Sequence, residues 1–406
     1  MYLGIHVAGP RRLWRVCCLS ALGLTMFGEI RAQDDPNSAD SREKPSAAQS
    51  AAQVPTEGST DKDPSGNPTA DASRQFSLGR KRWERREFPE ALGHFNEAIR
   101  LDPSNPQHWD RRGRTHVDLD DPQAGLKDYE RAQKLGMNTA DLHAEQAWAY
   151  IKLKQFDQAQ TSVDAGLKLD PKRGRAWNAF ALIALNQQDL TTALKRFNRG
   201  IEFDPDCVPL WVNRGDLREK QGDARGALSD LNRAVELRPD QTFSYYRRGL
   251  IYVGLKDHPK AIADFTRAIE RGPRFVPALV KRALALAAEK RGEEALKDID
   301  RAISVNDALA YVHEARGDVQ LALKRRDALN DYNRAIELDP KRASAYFRRG
   351  KLYFRIANDP AAQRDVESAL KLEPNNPQFL TFLAEVLFMR KRVSQARKPL
   401  VKSLKL

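Results

Sequence analysis

The chain has 406 residues, 41% of them hydrophobic and 30% charged, enough for several ordinary domains or one long array. Its formal charge of +13 is unevenly spread: residues 1–32 carry +3, residues 33–72 carry −5, and the remainder from Ser73 carries +15. Such a surplus favours anionic partners of every kind through long-range steering and does not by itself select nucleic acid.

Residues 1–32 read as an export signal. Arg11, Arg12 and Arg15 form a positive start, Val16–Gly28 is an apolar core of 13 residues, and Ala32 suits the position before a cut. The core is too short for a comfortable membrane span and polar chain follows at once. Cys17 and Cys18 lie inside it, behind Arg15 and Val16, which is not a lipoprotein cleavage box. Removal of the signal leaves Cys207 alone, excluding an intramolecular disulfide. An exported protein, periplasmic or secreted, then draws its stability from packing. Cys207 reads as a small loop or contact residue.

Residues 33–71 are mostly Ala, Ser, Asp, Pro, Gln and Thr, nearly without large apolar side chains. Such a segment cannot bury enough surface to offset its ordering entropy and reads as a disordered acidic linker. Asp61–Asn67 imitates the start of a calcium loop, but Ala72 stands where the terminal acid belongs and Pro64 and Pro68 interrupt it.

From Ala72 a period near 34 takes over. Prolines mark it at 103, 171, 205, 239 and 273, and at 340 and 374 after a one-residue deletion. The beats near Met137 and Asp307 lack proline. Each proline ends a helix, because it has no N–H and restricts the residue before it. Between prolines the pattern predicts two amphipathic helices. The first carries an aromatic and a small residue four later, as in Trp109/Gly113, Trp177/Ala181, Trp211/Gly215, Tyr245/Gly249 and Tyr346/Gly350. The second carries one apolar stripe, as in Ala91/Phe95/Ala98, Ala193/Phe197/Gly200, Ala261/Phe265/Ala268 and Ala295/Ile299/Ala302.

This order of aromatic, small, small, aromatic, small and proline over 34 residues resembles the tetratricopeptide repeat, from about Ala72 to Leu406. Ten units follow: 72–105, 106–139, 140–173, 174–207, 208–241, 242–275, 276–309, 310–342, 343–376 and 377–406. In the last, Pro399 falls inside the second helix and should kink or fray it. The resemblance implies an all-α, right-handed superhelical solenoid of antiparallel helix pairs, with an inner groove that binds peptides or proteins.

An arginine recurs in the first helix of six units, and sixteen residues on stands an aspartate: Arg112/Asp128, Arg214/Asp230, Arg248/Asp264, Arg282/Asp298 and Arg349/Asp365. Arg316/Asp331 is separated by fifteen, across the deletion. Leu78, Gln146, Phe180 and Leu383 hold the arginine's place in the other units, and none has an acid at the matching position. In a hairpin of two helices such residues lie at similar heights, so a structural ion pair within each unit is expected.

Arg111, Arg247, Lys281 and Arg348 precede these arginines and have no such partner at that spacing. The resemblance places them on the inner groove. With Tyr246, Phe347, Phe354 and Arg355 they form the candidate surface for an acidic or aromatic peptide. Chaperone-binding members of the family hold a terminal carboxylate with a lysine and asparagines on successive first helices. Here Asn213 is the one suitable asparagine, while Asn178, Leu182, Phe243 and Arg247 occupy the neighbouring places, so the clamp is incomplete.

No zinc spacing, Walker loop, dinucleotide-binding glycine motif or nucleophile elbow occurs. The seven histidines read as scattered surface residues, and Asp118, Asp120 and Asp121 as a turn with a helix cap. The sequence reading is an exported, non-enzymatic scaffold with neither metal nor cofactor, binding a protein or peptide. The alternative is an anionic polymer, a cell-wall glycan or nucleic acid, held by the basic surface.

Overall fold

The computed structural model describes residues 68–325 and 327–404. The expected signal, the linker up to residue 67 and the calcium-like Asp61–Asn67 lie outside the described residues. Those described form twenty helices and no strand. They pair as α1 (Pro68–Glu84) with α2 (Phe88–Leu101), α3 (Pro106–Asp118) with α4 (Pro122–Lys134), α5 (Ala140–Lys152) with α6 (Phe156–Leu169), α7 (Gly174–Asn186) with α8 (Leu190–Phe203), and α9 (Val208–Lys220) with α10 (Ala224–Leu237). There follow α11 (Thr242–Gly254) with α12 (His258–Arg271), α13 (Val276–Ala288) with α14 (Gly292–Val305), α15 (Ala310–Ala322) with α16 (Ala328–Leu338), α17 (Ala343–Arg355) with α18 (Asp359–Leu372), and α19 (Pro377–Met389) with α20 (Val393–Leu404). The chain is an all-α superhelical repeat array. No helix among the described residues is long and apolar enough to cross a membrane.

Helix starts follow from caps and prolines. Asn105, Asp121, Thr139, Asp189 and Asp223 each accept a backbone N–H of their helix's first turn. Pro106, Pro122 and Pro377 stand at the first helical position, where a missing N–H costs nothing. The same effect starts α1 at Pro68, four residues inside the stretch expected to be linker. Pro399 does not end α20, which runs through it to Leu404.

The turn from first to second helix is nearly invariant. It passes through a left-handed residue at Arg86, Asp120, Lys154, Gln188, Gly222, Lys256, Lys290, Lys324, Ala357 and Lys391, one per pair. In the first pair the Arg86 N–H bonds the Trp83 carbonyl at 2.9 Å and the Glu87 N–H bonds the Arg82 carbonyl at 3.0 Å. These two bonds satisfy the last free carbonyls of α1 in a Schellman closure.

The core runs along the second helices. Ala91, Phe95 and Ala98, Ala193 and Phe197, and Ala261, Phe265 and Ala268 are all buried. The small residue of each first helix admits the ring of the second: a Cβ on Gly113 would stand 2.8 Å from Tyr129, and one on Gly249 2.7 Å from Phe265. The first-helix tryptophans act differently. Trp109, Trp177 and Trp211 donate their indole N–H to the carbonyls of Pro103, Pro171 and Pro205, pinning each helix to the loop before it.

The described residues fall into two compact units. One extends to residue 255 and takes in 263–275; the other holds 256–262 and 276–404.

Candidate functional site

The recurring arginines sit between helices. Arg112 donates from Nε and Nη2 to both oxygens of Asp128, at 2.8 and 2.7 Å. The same two-pronged contact joins Arg214 to Asp230, Arg248 to Asp264, Arg282 to Asp298 and Arg349 to Asp365. Arg316 reaches only Oδ1 of Asp331, and Oδ2 is buried with no hydrogen-bond partner. The shortened pair explains this, since α16 has 11 residues where most second helices have 14. The third nitrogen of four of these guanidinium groups reaches back to the preceding pair: Arg112 to Asn96, Arg214 to Asn198, Arg248 to Asn232 and Arg349 to Asn333. Each asparagine lies sixteen residues before its arginine, a spacing visible in the sequence and passed over there.

The residues expected to line a groove sit differently. Tyr246 and Phe354 are buried, at 0% and 2% exposure, and have no surface to offer a partner. Tyr246 packs among Phe243, Phe265 and Phe275, and Phe347 against Phe379 and Phe382. Lys281 is buried; Arg355 is exposed. Two of the first arginines of the doublets, Arg247 and Arg348, have acid partners contributed by the preceding pair. Arg247 binds Asp216 at 2.7 Å, and Arg348 bridges Glu314 and Asp318 at 2.5 Å each. Arg111 lies 3.7 Å from its neighbour Asp110. The partners of Arg247 and Arg348 stand 31, 34 and 30 residues before their arginines, outside the sixteen-residue spacing that marks the recurring pairs. Asn213 bonds Asn178 at 2.8 Å.

A different set of residues converges. In the unit extending to residue 255, a cavity of about 760 Å³ is lined by Arg80, Trp83, Arg86, Arg111, Arg114, Arg173, Arg175, Arg238 and Phe243, with Asp204, Asp206 and Asp240 among the acids. It exists because this unit's chain returns to its own start. The Arg274 guanidinium pairs with Glu90, and Gly272 lies against the carbonyl of Arg85. The Arg86 guanidinium stands over three rings, Phe88, Phe243 and Phe275, at 5.0, 5.1 and 5.2 Å.

Most of the other arginines are engaged. Arg114 and Arg175 share Glu145 at 2.8 and 2.9 Å, Arg173 holds Asp141, and Arg238 holds Asp240. Arg114 also lies 4.5 Å over the Trp83 ring, whose N–H donates to Asp118 at 2.7 Å. Burial raises the Asp110 carboxyl to about 6 against the pull of Arg111. It raises Asp118 too, and lowers Arg86. Cys207 lies on the wall, its thiol pushed by burial up to about 12, which makes it a poor nucleophile.

The aspartate cluster does separate things: Asp121 caps α4, Asp118 receives the indole, and Asp120 sits in the left-handed turn and pairs with Lys152 at 3.0 Å. Two histidines expected at the surface, His108 and His313, are buried instead, at 2% and 5%. Each bonds the carbonyl six residues before it, where the chain leaves the preceding helix.

Among curated proteins, the chain is 28% identical over 100 residues to the Hsp70-Hsp90 organizing protein of Triticum aestivum, covering 25% of this chain and 17% of that one. It is 40% identical over 73 residues to bacteriophage adsorption protein A of Escherichia coli (strain K12), covering 18% and 7%. The chain thus spans less than a fifth of the length of either. Among solved structures, a tetratricopeptide repeat protein from Parabacteroides merdae ATCC 43184 matches with a TM-score of 0.51 at 20% identity, covering 61% and 98%. The Cut9-Hcn1 assembly of the APC/C matches with a TM-score of 0.55 at 13% identity, covering 78% and 76%. The profile described as "Tetratricopeptide repeat" matches residues 76–140, 144–206, 212–273, 246–311 and 358–405, and one described as "TPR repeat" matches 326–356. With helix pairs, period and profile in agreement over most of its length, the chain belongs to the tetratricopeptide repeat family.

Proposed function

We propose that the chain is a non-enzymatic interaction scaffold that takes a segment of a protein partner into the cavity bounded by Arg80, Arg86, Arg111 and Phe243. The observation that carries this reading is the cavity wall, where guanidinium groups and aromatic rings face one space of about 760 Å³. Clefts of roughly 300–1,000 Å³ suit small ligands and short segments. Similarity to proteins named as Hsp70-Hsp90 organizing proteins supports a protein partner. The carboxylate clamp does not come with it, because Asn213 is spent on Asn178. A photo-crosslinking residue at Arg80 should capture a protein partner, and one at the exposed Lys195 of α8 should not. Equal capture at both positions, or none at Arg80, removes the cavity from the reading.

Export belongs to the same proposal: residues 1–32 direct it and residues 33–67 tether the array. The mature protein should then begin at Gln33 and be recovered outside the cytoplasm. An intact Met1 in cytoplasmic protein refutes this part.

The charge of +15 from Ser73 onward favours a second reading, an anionic polymer. Six of the seven cavity arginines, however, have an acid of this chain within 4.0 Å, which leaves few open charges for a polyanion. Binding to polyphosphate or nucleic acid that falls steeply with salt supports the second reading; salt-insensitive peptide binding removes it.

A further inference from the structure

Arg86 is the exception on that wall: among the described residues its guanidinium pairs with no carboxylate. It is held by backbone closure at a left-handed turn and by three phenyl rings. The rings take the cation face-on and leave the edge, with its N–H donors, open to an acceptor, while burial penalises the charge against the longer-range pull of Asp118. An arginine does not escape this cost by losing its proton. Trp83, Phe88, Val208, Pro209 and Phe243 give the same cavity apolar surface beside its charged groups. Arg80 is 58% exposed and only loosely paired with Glu84 at 3.9 Å.

We propose, resting on the protein-binding reading above, that the segment entering the cavity carries an Asp or Glu beside an apolar side chain. Its carboxylate takes the open edge of Arg86, and its apolar neighbour packs on Trp83 and Phe243. A carboxylate suits the planar fork of a guanidinium, which binds both oxygens at once. The phenyl rings of the cage then position the fork as they would a substrate clamp.

The probe is a capped hexapeptide with one glutamate among leucines, compared with its glutamine counterpart and with inorganic phosphate, by calorimetry on the full chain. The glutamate peptide should bind at least about tenfold tighter than the glutamine peptide, a difference that reflects one charge-assisted contact. That preference should vanish in Arg86→Gln. Glutamine is tolerated by this turn, since Gln188 holds the equivalent place in the fourth pair, and unchanged circular dichroism confirms the fold. Equal binding of both peptides overturns the carboxylate assignment yet leaves a protein partner in the cavity possible to demonstrate by cross-linking. Binding of neither peptide, displacement by phosphate at lower concentration than peptide, or a preference that survives Arg86→Gln each overturns it as well.

Discussion

Asp110 faces Arg111, Arg114 and Arg175, which pull its carboxyl down, and Glu145, which adds to the larger upward push of burial. Its folded value of about 6 lies above the ordinary 3.8. The site's contribution to stability is therefore complete below the unfolded value and lost as pH rises through about 6. Asp110→Asn cannot ionise. Between pH 4 and 7 the wild type should lose about 2–3 kcal/mol more stability than this variant, read from urea midpoints at each pH. Arg111 loses its nearest counter-charge at the acid end of that range. At this scale the sequence was informative where one spacing repeated: sixteen residues located all five two-pronged partners, and fifteen located Asp331. It was silent on the second oxygen of Asp331, because a deletion alters angle as well as distance. It was silent on Tyr246 and Phe354 because a helix face known only by period does not reveal which neighbour covers it.

Each pair of helices depends on a close approach and a turn. At Gly249 the Phe265 ring occupies the space a methyl group would need. Gly249→Ala should cost about 1–3 kcal/mol in chemical denaturation, because a ring in a packed core cannot give way freely. The left-handed turn makes the opposite point. Nine of its ten residues are not glycine, and each holds a conformation costing roughly 1–2 kcal/mol. Ala357→Gly should raise stability by about 0.5–1 kcal/mol, after the extra freedom of glycine in the unfolded chain is subtracted. Gly222→Ala should lower it by about 1 kcal/mol, both followed by denaturant midpoint. Helix boundaries were legible because proline and the capping residues act locally. The turn was not: lysine, arginine, glutamine and alanine carry no left-handed signature, and backbone bonds impose the conformation on them.

For the molecule, the periodic pattern revealed the array because every unit repeats the same burial problem and solves it with its neighbour. The cavity stayed hidden for the complementary reason. Many of its residues stand one period apart, as Arg80/Arg114, Arg173/Cys207/Gln241, Arg175/Pro209/Phe243 and Asp204/Arg238 do, but a period does not say which distant repeats meet; Arg274 and Phe275 come back to Glu90 and Arg86 through contacts that have no counterpart in the other repeats. The run from Arg80 to Arg86, with Trp83 inside it, was the available hint.

Arg214 binds Asp230 within its own pair and Asn198 in the pair before. Asp230, 1% exposed, also accepts from Arg218. One side chain thus welds a hairpin internally and to its neighbour, and a linear array melts as a single event only while such links outweigh the hairpins' own instability. Arg214→Leu leaves the buried carboxylate to Arg218 alone, costs about 1–3 kcal/mol, and cuts the coupling in the same stroke. Scanning calorimetry should show the loss as a second melting step, with the hairpins on either side of the break released at separate temperatures.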